Sequence, residues 1–191
     1  MTWGTPGGSF PARISLTGLG LHLRDWTDTD LLVMTALFDD PEVARWTPLA
    51  SPFDLRAARA YLTRGRQART GGRGIHLAIT AGGQARGEIL LYWAGEAGQD
   101  AELAYAIGAC HRRQRLAVRA VRLMTGYARG TLAVNRVMLR IDPANHASIA
   151  LAEAVGFSLT DGSSADGCRS GEGAQWLPND SVSQFRLSLK R

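Results

Sequence analysis

The sequence predicts a mixed α/β domain built on one central, mostly antiparallel sheet flanked by helices, in the order β-α-α-β-β-β-α-β-α-β. The first observation is a run of three strand-like segments, 75–80, 88–93 and 101–108, separated by glycine-rich turns. Short turns of this kind join antiparallel neighbours. The second observation is a change to helical spacing of apolar residues over 114–129, and again after Asn145.

The N-terminal elements follow from turn residues and alternation. Residues 1–12 are rich in Gly, Pro and Ser and predict a flexible arm, so the domain itself is expected to span 13–191. Residues 13–25 alternate well enough for a strand, or for a two-strand hairpin split at Gly18–Gly20.

Two helices and the end of the chain complete the expected order. Asp28 can cap a helix that ends before Asp40–Pro41, and a second helix is expected over about 53–67. Residues 160–180 contain no credible element. The C-terminal SVSQFRLSL alternates and predicts a closing strand.

The second half contains one further strand and one capped helix. A strand is expected over 136–141, and Asn145 caps a last helix that Gly156 ends.

Composition and charge exclude several classes of protein. The chain has 191 residues, 45% of them hydrophobic, which suits one globular domain rather than a disordered chain. No apolar run approaches a membrane span, and the first ten residues have no secretory pattern. Cys110 and Cys168 are too few for a disulfide framework, and no metal-ligand spacing occurs. We therefore expect a cytoplasmic protein without membrane or metal.

The net charge of +5 comes almost wholly from arginine, because Lys190 is the one lysine among 22 basic residues. The stretches 55–87 and 103–141 contain no acidic residue. Such a tract suggests binding to a phosphate-bearing partner, and nucleic acid is one candidate. However, aromatic residues are not interleaved with the arginines of 112–140, which argues against base stacking and makes nucleic acid unlikely.

Two segments carry a specific resemblance. AELAYAIGACHRRQRLAVRAVRLMTGYA, followed by NRVMLRIDPANHASIALAEAVGF, is similar to the acyl-CoA-binding half of the GNAT N-acetyltransferase superfamily and covers about 101–157. The second segment resembles the branch of Rim-type ribosomal-protein N-acetyltransferases at ten positions with fixed offsets. The matching residues are Asn135, Arg136, Val137, Asp142, Asn145, Ser148, Ala152, Glu153, Gly156 and Phe157.

The resemblance implies a single GNAT-like domain that transfers an acyl group from acetyl-CoA or another acyl-CoA to a primary amine, by direct attack in a ternary complex. The acceptor would be a protein N-terminus or a small-molecule amine, and a homodimer is possible. The implied cofactor-binding residues are the end of one strand, the turn that follows it and the start of the last helix: Ile107, Gly108, Ala109, Arg112, Arg113, Gln114, Arg115, Leu116, Ala117, Asn145 and Ser148.

Two residues are the candidate catalytic groups. Glu102 would accept the proton of the attacking amine, directly or through water, although it can also be an exposed strand-end carboxylate. Ser148 would donate to the departing thiolate, although it can also be a second helix cap beside Asn145. Tyr105 alternates to the opposite face from Glu102 and is expected in the core.

One position departs from the family pattern. The superfamily's pyrophosphate loop falls on 112–117, and its middle glycine is Arg115 here. Either the arginine side chain donates to phosphate, or its Cβ weakens acyl-CoA binding. The second possibility motivates an alternative function, a catalytically degenerate acyl-CoA-binding or regulatory module.

Overall fold

A computed structural model describes residues 10–94, 100–160 and 183–188. Within them, eight strands form a single sheet: β1 (Ser15–Gly18), β2 (Leu21–Asp25), β3 (Gly74–Ala81), β4 (Gln84–Ala94), β5 (Asp100–Ile107), β6 (Arg136–Ile141), β7 (Ser158–Thr160) and β8 (Ser183–Ser188). The same residues form five α-helices: α1 (Leu31–Phe38), α2 (Pro41–Trp46), α3 (Leu55–Thr70), α4 (Leu116–Gly130) and α5 (His146–Val155).

The strand order is β1-β2-β3-β4-β5-β6-β8-β7, and every pair of neighbouring strands is antiparallel except β5 with β6. The predicted mixed α/β class with a mostly antiparallel sheet is therefore confirmed, and the hairpin alternative is the correct one for 13–25. The predicted order lacked α2 and β7, which the structure adds. The arm prediction for 1–12 and the loop prediction for 160–180 fall mostly outside the described residues.

A single signal explains the missed helix. Asp40–Pro41 was interpreted as the end of α1, yet the pair also begins α2: the Asp40 carboxylate accepts from the backbone N–H groups of Glu42 and Val43, at 3.1 and 3.0 Å. Aspartate at the N-cap followed by proline is a standard helix start.

The sheet has a hydrophobic core on each face. One core packs α4 and α5 against the sheet and includes Met124, Leu103 and Leu139. The other packs the N-terminal helices α1 to α3 against the opposite face, around Phe38 and Phe53. Both cores are continuous with β5, which therefore borders each of them.

The parallel pair β5–β6 determines where the sheet opens. The pairing covers only Asp100–Leu103 against Arg136–Leu139, although β5 continues to Ile107 and β6 to Ile141. Beyond that point the two strands separate. The sheet thus has a gap that connects its two faces near the middle of the molecule.

Candidate active site

The gap between β5 and β6 contains a cavity of about 120 Å³. Its lining comes from the end of α2, from β5, from the end of β6 and from the start of α5: Arg45, Trp46, Thr47, Glu102, Leu103, Ala104, Tyr105, Leu139, Arg140, Ile141, Asp142, Asn145 and Ser148. Both predicted catalytic residues, Glu102 and Ser148, line this cavity. The fold therefore brings together residues that are 46 positions apart in the sequence.

Glu102 is held by an ion pair across the strands. Its Oε1 accepts from Arg140 Nε at 2.8 Å, and its Oε2 lies 2.8 Å from Arg140 Nη2. The Glu102 side chain is 18% exposed, so it is largely shielded but still reachable from the cavity. Glu102 is therefore not a freely exposed carboxylate at a strand end, because it is ion-paired with Arg140 and mostly shielded from solvent.

Ser148 and Asn145 lie on the other side of the gap, in the first turn of α5. Asn145 caps the helix as predicted, since its Oδ1 accepts from the Ser148 backbone N–H at 3.1 Å. The capping role therefore falls to the Asn145 side chain, and the Ser148 side chain is half-buried at the cavity wall. This leaves the Ser148 hydroxyl available for chemistry.

Tyr105 was expected in the core, and its ring does pack against the core on the α4 side. Tyr105 nevertheless also lines the cavity. Its hydroxyl oxygen is buried and has no hydrogen-bond partner of good geometry among the described residues. Burial raises the pKa of Tyr105 to about 12, and the nearby Ser148 hydroxyl opposes that rise.

The turn after β5 contains two residues with a left-handed backbone. Arg113 and Arg115 are both left-handed, with φ of 60° and 54°. Arg115 therefore adopts the conformation in which glycine is favoured, and it does so as the N-terminal neighbour of α4. Left-handed residues are a feature of turns whose successive N–H groups form an anion-binding concavity.

The first turn of α4 has no side-chain cap, whereas α2, α3 and α5 are each capped by an Asp or Asn side chain. The N–H groups of Leu116 and Ala117 have no partner within the helix itself. They lie at the positive end of the helix dipole, beside two exposed arginines. These features fit the pyrophosphate of a coenzyme A.

Two arginines, Arg86 and Arg119, hold this loop through hydrogen bonds. Arg119 donates to the carbonyls of Leu19, Gln114 and Arg115 at 3.0, 3.2 and 3.4 Å. Arg86 donates to Gln114 Oε1 at 3.0 Å. The half-buried Arg119 guanidinium therefore fixes the loop carbonyls of Gln114 and Arg115.

Two of the predicted cofactor-binding residues, Gly108 and Arg112, already make hydrogen bonds within the protein. The Gly108 N–H donates to the Arg86 carbonyl at 3.0 Å, so this amide is not free. Gly108 is needed for space instead, because a Cβ there would lie 2.3 Å from Leu37 Cδ2. Arg112 donates to Asp40 at 2.6 Å and to the carbonyl of Ile107 at 3.3 Å.

The edge of β5 is open beyond the paired segment. Since the Gly108 amide points toward β4, alternation along the strand directs the N–H groups of Ile107 and Tyr105 toward the gap. Ala109 begins a short 3-10 turn and is exposed. The strand-like docking predicted for 107–109 is therefore available mainly at Ile107.

Most arginines of the acid-free tract bind the protein itself. Beside Arg112, Arg119 and Arg140, Arg136 pairs with Asp100 at 2.7 Å and Arg122 donates to the Ala154 carbonyl at 3.0 Å. A nucleic-acid surface needs free cations, and five of the eight are committed to internal contacts. The arginine-rich tract therefore gives little support to the nucleic-acid alternative.

A buried polar cluster lies on the α3 side of the sheet and was not predicted. Tyr61 donates to Glu88 Oε1 at 2.7 Å, and the Tyr92 hydroxyl lies 2.6 Å from His76 Nε2. Burial raises the pKa of Glu88 to about 7, against the hydrogen bond from Tyr61, and lowers the pKa of His76 to about 4. Tyr92 stands opposite Glu102 in the β4–β5 register.

Four aromatic residues from the N-terminal half of the chain differ in their distance from the cavity. Trp26 and Phe53 are buried in the core of the N-terminal helices, and Trp93 stacks on Phe10 at 5.2 Å. Trp46 alone of this set lines the cavity, where the Arg45 guanidinium lies 4.5 Å from its ring centroid. The other three pack in the interior of the domain.

The Acetyltransferase (GNAT) domain family matches residues 20–158 of the chain. The protein therefore belongs to the GNAT acetyltransferase family and is an acyltransferase. A search of curated proteins by sequence finds no match.

Solved structures share the fold at low sequence identity. RimJ from Mycobacterium smegmatis, in complex with a CoA disulfide, has a TM-score of 0.72 and 15% identity over 92% of this chain and 86% of its own. RimL, a ribosomal-protein alpha-N-acetyltransferase in complex with coenzyme A, has a TM-score of 0.71 and 18% identity over 92% and 98%. The microcin C7 self-immunity acetyltransferase MccE, solved with acetyl-CoA and AMP, has a TM-score of 0.71 and 13% identity over 90% and 94%. The family match confirms the resemblance to the GNAT superfamily, and these structures, two of them Rim-type enzymes, share its fold.

Two searches of the described ranges gave negative results. None of their helices combines the length and apolar character needed to cross a bilayer. They also contain no group of three or more His, Cys, Asp or Glu side chains suited to a metal ion.

Proposed function

We propose that the protein transfers an acetyl group from acetyl-CoA to a primary amine while both substrates are bound. One observation carries the proposal: the gap between β5 and β6 joins a shielded carboxylate, Glu102, on one face to a serine hydroxyl, Ser148, on the other. The uncapped start of α4 follows the same strand β5, so it provides an anion site in line with the gap.

The chain's own groups suit a coenzyme A. The N–H groups of Leu116 and Ala117, with the loop residues Arg113 to Arg115, would hold the pyrophosphate. The open edge at Ile107 and the Asn145 side chain would hold the pantetheine arm. When bound, acetyl-CoA supplies the activated acyl group as a thioester.

The residues then act by position and charge. Glu102 accepts the proton that the amine loses, directly or through one water, with lone pairs that Arg140 leaves free. Ser148 donates a hydrogen bond to the sulfur as negative charge develops on it. Because both substrates are held together, proximity supplies a large share of the rate.

The acceptor side of the gap is formed by the end of α2. Arg45, Trp46 and Thr47 line the cavity there, next to Glu102. RimL is described as a ribosomal-protein alpha-N-acetyltransferase. This supports a protein N-terminus as one acceptor class, and small-molecule amines are the other. We further propose that the domain spans 13–191 and acts in the cytoplasm.

The left-handed Arg115 weakens the case for a degenerate module. That alternative rested on a glycine position occupied by a side chain, and the structure holds this residue in the glycine-like conformation with the side chain exposed. The loop therefore keeps its shape without glycine.

Ligand-induced stabilisation tests the binding step. Acetyl-CoA at 100 times its Kd raises the free energy of unfolding by about 2.7 kcal/mol, which is a Tm rise of roughly 5–10 °C for a domain of this size. AMP at the same concentration is the control ligand. No stabilisation by millimolar acetyl-CoA or CoA would contradict the proposal, because binding to the native state must stabilise it.

A further inference from the structure

The buried hydroxyl of Tyr105 is the feature that the proposed function leaves unused. Tyr105 lines the cavity together with Asn145 and Ser148 at the start of α5. Its hydroxyl oxygen is out of contact with solvent and has no partner of good geometry among residues 10–94 and 100–160. A buried hydroxyl without a partner is costly, and such groups in native structures call for an explanation.

Ser148 is the polar neighbour of that hydroxyl. Both side chains line the same cavity, and the Ser148 hydroxyl is close enough to oppose the burial-induced rise in the pKa of Tyr105. The Ser148 backbone is fixed by two contacts of its N–H with Asn145, to the side chain and to the carbonyl, each at 3.1 Å. The Ser148 side chain, in contrast, can still rotate about its Cα–Cβ bond.

A serine hydroxyl stabilises a thiolate only when its hydrogen points at the sulfur. Its own oxygen has two lone pairs, and a donor on one of them fixes the rotation and polarises the O–H bond. Tyr105 is suited to be that donor, because its raised pKa keeps it protonated throughout the working pH range. A tyrosine on a strand is also rigid compared with groups on the loop.

We propose that Tyr105 is a positioning residue: its hydroxyl donates to Ser148 Oγ and thereby directs the Ser148 hydrogen toward the leaving sulfur. This inference rests on the proposed function of Ser148. No proton leaves Tyr105 in the step: the C–N bond forms, the C–S bond breaks, the amine proton goes to Glu102, and the thiolate departs with the electron pair.

The kinetic test compares Y105F, S148A and the double variant with Y127F. Tyr127 is the matched control, since it lies on α4 in the same core and its hydroxyl is also buried without a hydrogen-bond partner among the described residues. We expect Y105F to lower kcat about tenfold with KM for acetyl-CoA unchanged. The double variant should be no slower than S148A, because residues that act as a unit are not additive.

A binding test needs no turnover. Near the ordinary thiol pKa of about 8.5, wild-type protein should bind CoA more tightly than desulfo-CoA, which lacks the sulfur. S148A and Y105F should each lose about three- to tenfold of that preference, as expected for a hydrogen bond to a charged group. Y127F should retain it, and Y105F should unfold at no lower temperature than wild type.

The outcomes separate the two ideas. If S148A is slow while Y105F matches Y127F in both rate and CoA preference, the role of Tyr105 is refuted and the proposed function survives. A Y105F effect that multiplies with S148A, or that persists when S148A has none, also refutes it. If no amine is acetylated, the proposed function fails, and the CoA preference of Y105F still decides whether Tyr105 acts on the sulfur site.

Discussion

The Glu102 carboxylate and the Arg140 guanidinium form a two-point ion pair across β5 and β6, with Oε1–Nε and Oε2–Nη2 both 2.8 Å. The pair lies where the two parallel strands stop hydrogen bonding and separate. It therefore fixes the candidate base at the mouth of the gap through which the two substrates would meet.

Removing the Glu102 charge should slow transfer without unfolding the protein. We expect E102Q to lower kcat by about 10²-fold, the lower end of the range for loss of a general base. Steady-state release of CoA thiol measures this. D100N is the matched control, because Asp100 lies two residues earlier on the same strand and also pairs with an arginine of β6, Arg136, although through one carboxylate oxygen. Equal rates for E102Q and D100N would remove Glu102 from the mechanism.

Arg140 should matter through Glu102. R140Q leaves a carboxylate that is 18% exposed without its partner, so we expect kcat to fall about tenfold and the free energy of unfolding to fall by about 1 kcal/mol. R140K should recover part of the stability but less of the rate, since lysine cannot reproduce the two-point contact. A full recovery of both by R140K would show that charge alone suffices.

Substitution of Arg115 by glycine tests backbone strain and phosphate contact separately. R115G should raise the free energy of unfolding by about 1 kcal/mol, because glycine adopts the left-handed conformation without cost. The same change should weaken CoA binding about threefold to tenfold, through loss of one cation near the phosphates. A133G is the control, since Ala133 is also left-handed, with φ of 53°, but lies after α4. It should be stabilised equally and bind CoA as wild type does; tighter CoA binding by R115G would mean that the arginine obstructs the loop.

The buried Glu88 and His76 should give opposite pH dependences of stability. Glu88 titrates near 7 in the folded state and near its ordinary value of 4.5 when unfolded. The folded state thus holds an extra proton between those values, and stability falls as pH rises through that window. His76 has its pKa lowered from 6.5 to about 4, so the unfolded state holds the extra proton and stability rises between pH 4 and 6.5.

These slopes oppose each other between about pH 4.5 and 6.5 in the wild-type protein. E88Q should expose the rise due to His76 over pH 4 to 6.5 and abolish the fall that remains up to about pH 7. Urea unfolding across pH 4 to 8 measures both. E153Q, at an exposed position on α5, should keep the wild-type profile. An E88Q profile that parallels wild type would show that Glu88 does not titrate in this range.

Local chemistry predicted the elements with clear start and stop signals. β6 and the Asn145 cap are as expected, and Gly156 ends α5 in the left-handed conformation. Short elements were harder: α2 has six residues and β7 has three, so neither displays a full hydrophobic period. For α2 the Asp40–Pro41 start signal was present but was taken as a stop.

The sequence predicted the site residues that a local motif on one strand or helix contains, but not the contacts between distant elements. Glu102 and Ser148 could be predicted because the resemblance to the GNAT superfamily assigns roles to their positions on β5 and α5, and both line the cavity in the gap. The Arg140 partner of Glu102 is 38 residues away and depends on the parallel register, which no local pattern reveals. Tyr105 alternates to the core side as expected, but it also lines the cavity, which no local pattern indicated.

The most direct measurement is acetyl transfer to a set of primary amines, including peptides with free N-termini, followed by mass spectrometry together with thiol release. We predict that wild-type protein forms an acetylated amine and free CoA thiol in equal amounts, and that E102Q and S148A form both far more slowly. Stabilisation by acetyl-CoA with no acetylated amine in any mixture, or thiol release without an acetylated amine, would contradict direct transfer between the two substrates.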